Sequence, residues 1–173
     1  MLKLLLIAPK GSYLTARYRE AAERISAEII VASEGDDSLV DNQSVGLRVD
    51  FQDPLGSLDT IKCFHRLNPF DGVLGTDDSV LELAALVATS LKLPGNQPES
   101  VNAGVRKDLS REIQLNAGLP TPWFHCFDLR HLPSLDLPDD LPYPCIAKPV
   151  TLSASRGVIR ANNKKELLAA LIR

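Results

Sequence analysis

Cysteine is scarce in this sequence. Cys63, Cys126 and Cys145 are odd in number and widely spaced. They form no CxxC pair, which excludes a zinc-ribbon or dithiol redox signature, and they offer no disulfide framework. A reducing, cytoplasmic setting is expected. A basic excess is also missing. Lys and Arg number 19 against 22 Asp and Glu, for a net charge of −3. A dedicated nucleic-acid binder carries a basic stripe, so no nucleic-acid partner is expected. No apolar run is long enough to span a bilayer, so no membrane partner is expected either. The opening run Leu2–Ala8 is short and leads into Pro9-Lys10-Gly11 without a small-residue cleavage site. It reads as a buried first strand and not as a signal peptide. His65, His125 and His131 have no ligand spacing and read as structural or surface residues. Lys10-Gly11-Ser12 follows the first strand but lacks GxGxxG, which argues against a dinucleotide site.

Apolar residues make up 45% and charged residues 24%, the balance of an ordinary soluble globular protein. A chain of 173 residues supports one large domain or two small ones. From Met1 to about Asn96, strands and helices alternate. Leu4–Ala8 is a continuous apolar run, as in a strand covered on both faces. Leu14, Tyr18, Ala21, Ala22 and Ile25 follow helical spacing. Glu28–Ala32 reads as a second strand, Val45–Phe51 as a third and Gly72–Gly75 as a fourth. Asp53-Pro54 suits a helix entry, with Leu58, Ile61, Phe64 and Leu67 striped behind it. Val80–Leu91 is a helix that is apolar nearly all round, hence pressed between a sheet and something else. Repeated βα units imply a parallel sheet with right-handed crossovers.

The pattern changes near Leu93-Pro94-Gly95-Asn96-Gln97-Pro98. Val101, Val105, Leu109, Ile113 and Ala117 lie four apart, on one face of a helix. Gly118 reads as its C′ residue, and Pro120 and Pro122 prevent continuation. Trp123–Phe127 follows, with His125 read as lying on a strand and Trp123 as a packing residue. A Pro/Asp-rich loop then runs through Pro142. Strands are expected at Tyr143–Val150 and Gly157–Ala161, and a helix begins at Lys165. This second region reads as α+β with short antiparallel strands. Its last helix has neither a C-cap glycine nor a polar tail, so the natural chain is expected to continue beyond Arg173.

The strand Tyr143–Val150 carries the sharpest chemical signal. Alternation puts Ile146, Lys148 and Val150 on one face. A lysine between aliphatic residues needs an anion if it is buried, because an unpaired buried ammonium is costly. Snorkelling at a strand end is the other account, and Pro149 favours such an end. The segment Thr151–Val158 is a small-residue turn able to present N–H groups and hydroxyls to a phosphate. Lys107 lies two residues from Val105, well off the apolar stripe, where a helical lysine is ordinarily solvated. Asp77-Asp78-Ser79 follows the fourth strand at the carboxyl edge of the sheet, where doubly wound folds bind ligands. Its simpler role is to cap the Val80 helix.

These elements carry a resemblance. Lys107 is followed by Gly118, Pro120 and Pro122. Next comes Tyr143-Pro144, three residues, Lys148-Pro149, and a small-residue loop ending in Gly157-Val158. Upstream stand Asp71-Gly72-Val73-Leu74 and Leu91-Lys92-Leu93-Pro94-Gly95. In this order and spacing the chain resembles the ATP-grasp superfamily, which includes biotin carboxylase, phosphoribosylamine–glycine ligase and the carboxylate–amine ligases. The resemblance is tight from about Asp71 to Ala161 and looser before. It implies an α/β Rossmann-like, parallel-sheet pre-ATP-grasp domain over residues 1–97. An incomplete α+β ATP-grasp lid subdomain, with its linking helix, would occupy residues 98–173.

The resemblance further implies ATP with magnesium and a small carboxylate substrate. The carboxylate would be activated as an acyl-phosphate and joined to an amine. Lys107 takes the place of the lysine that touches the nucleotide phosphates from the central domain. Lys148 takes the place of the lysine on the lid strand, near the α-phosphate and adenine. Ser153, Ala154, Ser155, Arg156 and Gly157 take the place of the glycine-rich lid loop. Here the sequence departs from the family, because Gly157 is the only glycine in that loop. Asp77 and Asp78 are candidates for the substrate pocket. The family's magnesium ligands, adenine hinge and acyl-phosphate arginine come later than Arg173, so the 173-residue chain alone is expected to bind nucleotide weakly and to be inactive. Homo-oligomerisation is compatible with this reading. The alternative is a complete small-molecule-binding or interaction module without catalysis.

Overall fold

The computed structural model describes residues 1–34, 46–130 and 137–172. Val45 and His131 lie outside the described residues. The chain forms two compact units, Met1–Asn102 and Ala103–Arg173.

The first unit is a four-stranded parallel sheet of β1 (Lys3–Ile7), β2 (Glu28–Ser33), β3 (Gly46–Arg48) and β4 (Gly72–Gly75). The strand order is β3-β2-β1-β4. β1 pairs with β2 from Lys3↔Glu28 to Ile7↔Ala32, and with β4 from Leu4↔Gly72 to Ile7↔Gly75. The chain therefore steps outward from β1 on one side and returns to its other side with β4. α1 (Leu14–Arg24) joins β1 to β2, α2 (Pro54–Leu67) joins β3 to β4, and α3 (Leu81–Leu91) follows a 3-10 turn at Asp78–Val80. The apolar run of β1 is buried, as a two-sided strand requires. Leu5, Ile7, Ile30 and Ala32 form one core with Ile61, Val80, Leu83 and Val87 from α2, α3 and the turn before it. Each fully buried aliphatic side chain contributes about 1.5–3 kcal/mol. Asp53 caps α2 as its sequence suggests, accepting from the Gly56 N–H at 3.0 Å with Pro54 in the first turn. His65 is structural, since its Nδ1 accepts from the Phe70 N–H at 3.3 Å.

The helical stripe from Val101 to Ala117 is not one helix. α4 (Pro98–Val105) ends, Arg106 is extended at φ −86° and ψ 114°, and α5 (Lys107–Asn116) begins. In an unbroken helix the Lys107 N–H would donate to Ala103. Instead it donates to the Val150 carbonyl at 3.1 Å. Arg106 turns out of the helix to pair with Asp108, and that guanidinium holds the Asp108 carboxyl below its usual range. The C-terminus of α5 follows the expected glycine stop. Gly118 has φ +70°, its N–H donates to Leu115 at 3.0 Å, and the Leu119 N–H donates to Gln114 at 2.9 Å, the paired bonds of a Schellman motif.

β5 (Cys145–Ala147) and β6 (Ile159–Ala161) pair antiparallel, from Cys145↔Ala161 to Ala147↔Ile159. One face of this hairpin, with Cys145, Ala147 and Ala161, packs with Leu137, Leu141 and Leu167 of α6 (Lys164–Leu171). Trp123 is not a packing residue. It is 56% exposed, and His125 lies outside any strand.

α6 opens with reciprocal caps. The Asn163 side chain accepts from the Glu166 N–H at 3.0 Å, and Glu166 accepts from the Asn162 N–H at 2.9 Å. The Asn162 N–H holds the Glu166 carboxyl below its ordinary value. A depressed carboxylate pKa means stability that is present above the unfolded value and lost as pH falls through the folded one. Asn163→Ala should therefore cost about 1 kcal/mol at neutral pH. Wild type should lose more melting temperature than Glu166→Gln between neutral pH and about pH 3. Parallel pH profiles of the two proteins would count against this account of the cap.

Candidate functional site

Lys148 comes directly after β5 and is exposed. Among the described residues its ammonium has no hydrogen-bond or ion-pair partner. Of the two accounts the sequence leaves open, a buried lysine paired with an anion and a lysine reaching solvent at a strand end, the structure has the second, since Ile146 on the same face is 56% exposed. A two-stranded hairpin buries one face only, and here that face is Cys145, Ala147 and Ala161 against α6. Lys148 is thus a free charge on an open face, without a burial cost that demands an anion.

The turn beside it is more constrained than its composition suggests. The Arg156 N–H donates to the Ser153 carbonyl at 3.1 Å, and the Val158 N–H to Ser155 at 3.4 Å. Ala154 (φ 53°), Ser155 (φ 59°) and Gly157 (φ 69°) are all left-handed. For Ala and Ser this conformation costs roughly 1–2 kcal/mol each. The backbone follows a path suited to glycines with only one glycine present. At Gly157 even that substitute is closed off, since a Cβ there would lie 2.7 Å from Pro149 Cγ. Among the described residues the N–H groups of Ala154, Ser155 and Gly157 take no backbone acceptor. Arg156 is exposed and folds its Nε onto the Ser153 carbonyl at 3.3 Å. From Cys145 to Lys165 there are five basic residues and no acidic one, and of the five Lys164 is paired with Asp139 from outside the segment.

Lys107 stands at the first position of α5. Its Nζ donates to the Leu152 carbonyl at 2.6 Å and to the Val150 carbonyl at 3.3 Å. It is not a solvated helical lysine. Together with its backbone N–H, it ties α5 to the segment between Lys148 and the turn. Helical periodicity alone does not reveal these contacts, because they depend on the break at Arg106.

In the first unit, Asp77 and Asp78 follow β4 at the carboxyl edge of the sheet. Asp77 sits before the 3-10 turn, but its side chain caps no backbone N–H. Its carboxylate accepts from the Thr76 hydroxyl at 3.0 Å and the Ser79 hydroxyl at 2.7 Å. Ser12 of the β1–α1 loop meets Thr76, Oγ to Oγ1, at 3.3 Å. Asp78 is exposed. Thr76 escaped the sequence reading, since a single threonine after a short strand carries no periodic signal.

Residues 19–95 match the ATP-grasp N-terminal domain family. The likeness of known ATP-grasp ligases extends over both units. A crystal structure of an L-amino acid ligase from Bacillus licheniformis is 29% identical, with a TM-score of 0.79, over 98% of this chain and 41% of that one. An ADP complex of an N5-carboxyaminoimidazole ribonucleotide synthetase shares the fold at 14% identity, with a TM-score of 0.72, over 99% of this chain and 45% of that one. A D-alanine–D-alanine ligase from Bacillus velezensis is 31% identical over 112 residues, which are 60% of this chain and 30% of that protein. The chain thus spans about a third to under half the length of these ATP-grasp relatives, and it matches their N-terminal portion. The mixed α/β fold with its parallel sheet is that of the ATP-grasp N-terminal portion. No helix among the described residues is long and apolar enough to cross a membrane.

Proposed function

We propose that this chain is part of an ATP-dependent ligase that activates a small carboxylate as an acyl-phosphate and joins it to an amine. The family match and the amino acid ligase neighbour support the class. The observation that carries the nucleotide reading is the hairpin, where free Lys148, Arg156 and unpartnered loop N–H groups occur together in a segment without acidic residues. We assign residues 1–97 to the pre-ATP-grasp domain and 98–173 to the linking helix and partial lid. Lys148 would neutralise phosphate charge, and the N–H groups of Ala154, Ser155 and Gly157 would donate hydrogen bonds to phosphate oxygens. Lys107 would hold the turn in position through Val150 and Leu152 and reach phosphate only by leaving them. Asp77 and Asp78 are assigned to the substrate side. ATP supplies the phosphoryl group, and the work of these residues is to position it and balance its charge.

The described residues hold no group of three or more His, Cys, Asp or Glu able to bind a metal ion. No residue of this chain is therefore assigned to magnesium, and no step here is routed through it. The protein is assigned to the cytoplasm, consistent with its widely spaced cysteines.

The test is a titration of the 173-residue chain with ATP, followed by amide NMR. Resonances of residues 148–158 should move most, with millimolar-range affinity, and adenosine alone should move them less. Undisturbed resonances there at saturating ATP would remove the nucleotide reading. In a phosphate-release assay with ATP, magnesium and a panel of amino acids, the 173-residue chain alone should show no turnover, because charge neutralisation by metal is central to phosphoryl transfer. Turnover by this chain would mean that its active site lies elsewhere than in the family's later segments.

A further inference from the structure

We propose that Arg106 and Asp108 are positioning residues: their ion pair holds the helix broken at Arg106 and so sets Lys107 on the segment that leads into the turn. Val101, Val105, Leu109 and Ile113 keep one four-residue spacing across the break. No proline interrupts that spacing, and Gly104, the weakest helix former nearby, stays helical within α4. Local propensity therefore favours one continuous helix, and side-chain and tertiary contacts maintain the break. Arg106 is extended at φ −86° and ψ 114° and, among the described residues, its side chain caps no backbone N–H. Its carbonyl accepts the first bond of α5, from the Ser110 N–H at 3.0 Å.

The Arg106 side chain is committed to Asp108. Its Nε–H donates to Asp108 Oδ1 at 3.1 Å, and its Nη2 donates to Asp108 Oδ2. The Asp108 side chain is only 13% exposed, so water competes little for its oxygens. Residues two apart in an α-helix do not face each other. A two-pronged pair between positions 106 and 108 therefore forms only with Arg106 outside the helix, and the pair and the break require one another. The bracket spans Lys107. With it closed, Lys107 is the first residue of α5, and its N–H donates to the Val150 carbonyl at 3.1 Å. Its Nζ donates to the Leu152 carbonyl at 2.6 Å. Asp108 also lies in the first turn of α5, where a carboxylate offsets the lysine charge at the positive end of the helix. With the pair open, the Lys107 N–H returns to Ala103 in a continuous helix, and the segment from Val150 to Leu152 loses its tie. What this does for ATP rests on the assignment of the hairpin to phosphate.

The experiment compares the intact 173-residue chain with its Asp108→Asn, Arg106→Gln and Arg106→Lys variants by NMR. Two signatures are read without nucleotide: the scalar coupling through the hydrogen bond from the Lys107 nitrogen to the Val150 carbonyl carbon, and the Arg106 Cα shift, which separates extended from helical backbone. Wild type should show the coupling and an extended Arg106. Asp108→Asn and Arg106→Gln should lose the coupling and move the Arg106 shift to the helical range. Arg106→Lys keeps the charge without the fork and should fall between. The variants should fold, since α5 has no buried residue among the described ones. Titration with ATP, followed at residues 148–158, should then show about three- to tenfold weaker binding in the first two variants, the worth of one ordinary hydrogen bond. A merely structural ion pair would lower the melting temperature and leave both signatures in place. Unchanged signatures, or unchanged ATP affinity in variants that have lost the coupling, would overturn the proposal. The two signatures need no ATP, so they decide the role of the pair even where the hairpin fails to answer the nucleotide.

Discussion

Lys148→Ala is expected to weaken ATP binding by roughly ten- to a hundredfold while leaving the fold intact, because a charge-assisted hydrogen bond contributes about 1.5–3 kcal/mol. The fold should not suffer, since Lys148 is exposed and unpartnered among the described residues. Lys148→Arg should recover only part of the affinity, because a planar fork does not replace a compact ammonium. Isothermal titration of ATP into the wild type and both variants, with matched melting curves, reads this directly. If Lys148 merely lies in solvent, the alanine variant will bind ATP as the wild type does, and the assignment of the hairpin to phosphate loses its main support.

Gly157→Ala is expected to be the most damaging single change in the turn. Its φ of +69° disfavours any side chain, and the new Cβ would sit 2.7 Å from Pro149 Cγ and 3.0 Å from Cδ. Proline's ring cannot swing away as a flexible side chain would, so the backbone must move. A loss of about 1–3 kcal/mol should appear as a lower melting temperature and as faster amide exchange over residues 150–158. Ser155→Gly should behave oppositely. It relieves a left-handed serine at φ 59°, worth roughly 1–2 kcal/mol, against the entropy that glycine adds to the unfolded chain. Its melting temperature should be unchanged or higher. A Gly157→Ala protein as stable as wild type would show that the turn does not hold this path in solution.

Much of this was legible because it depends on local pattern. The continuous apolar runs of β1 and β2 required burial on both faces, which only a covered parallel sheet supplies. Asp53-Pro54 and Gly118 carried their own capping chemistry, and both ends formed accordingly. The order Lys107, Gly118, Tyr143-Pro144, Lys148 and Gly157 was enough to suggest the family that residues 19–95 match. What sequence periodicity could not decide were the contacts between distant segments. It continued the helix through Arg106, because it could not see that Val150 takes the Lys107 N–H from the helical ladder. It left open whether Lys148 is buried or solvated, because alternation tells which residues share a face and not which face the core covers. It could not pair Ser12 with Thr76, which lie 64 residues apart until β4 returns beside β1. The sequence alone determined the elements, their ends and their order. The tertiary structure decided which faces are buried and which donors are left unused, because both depend on contacts between segments far apart in the chain.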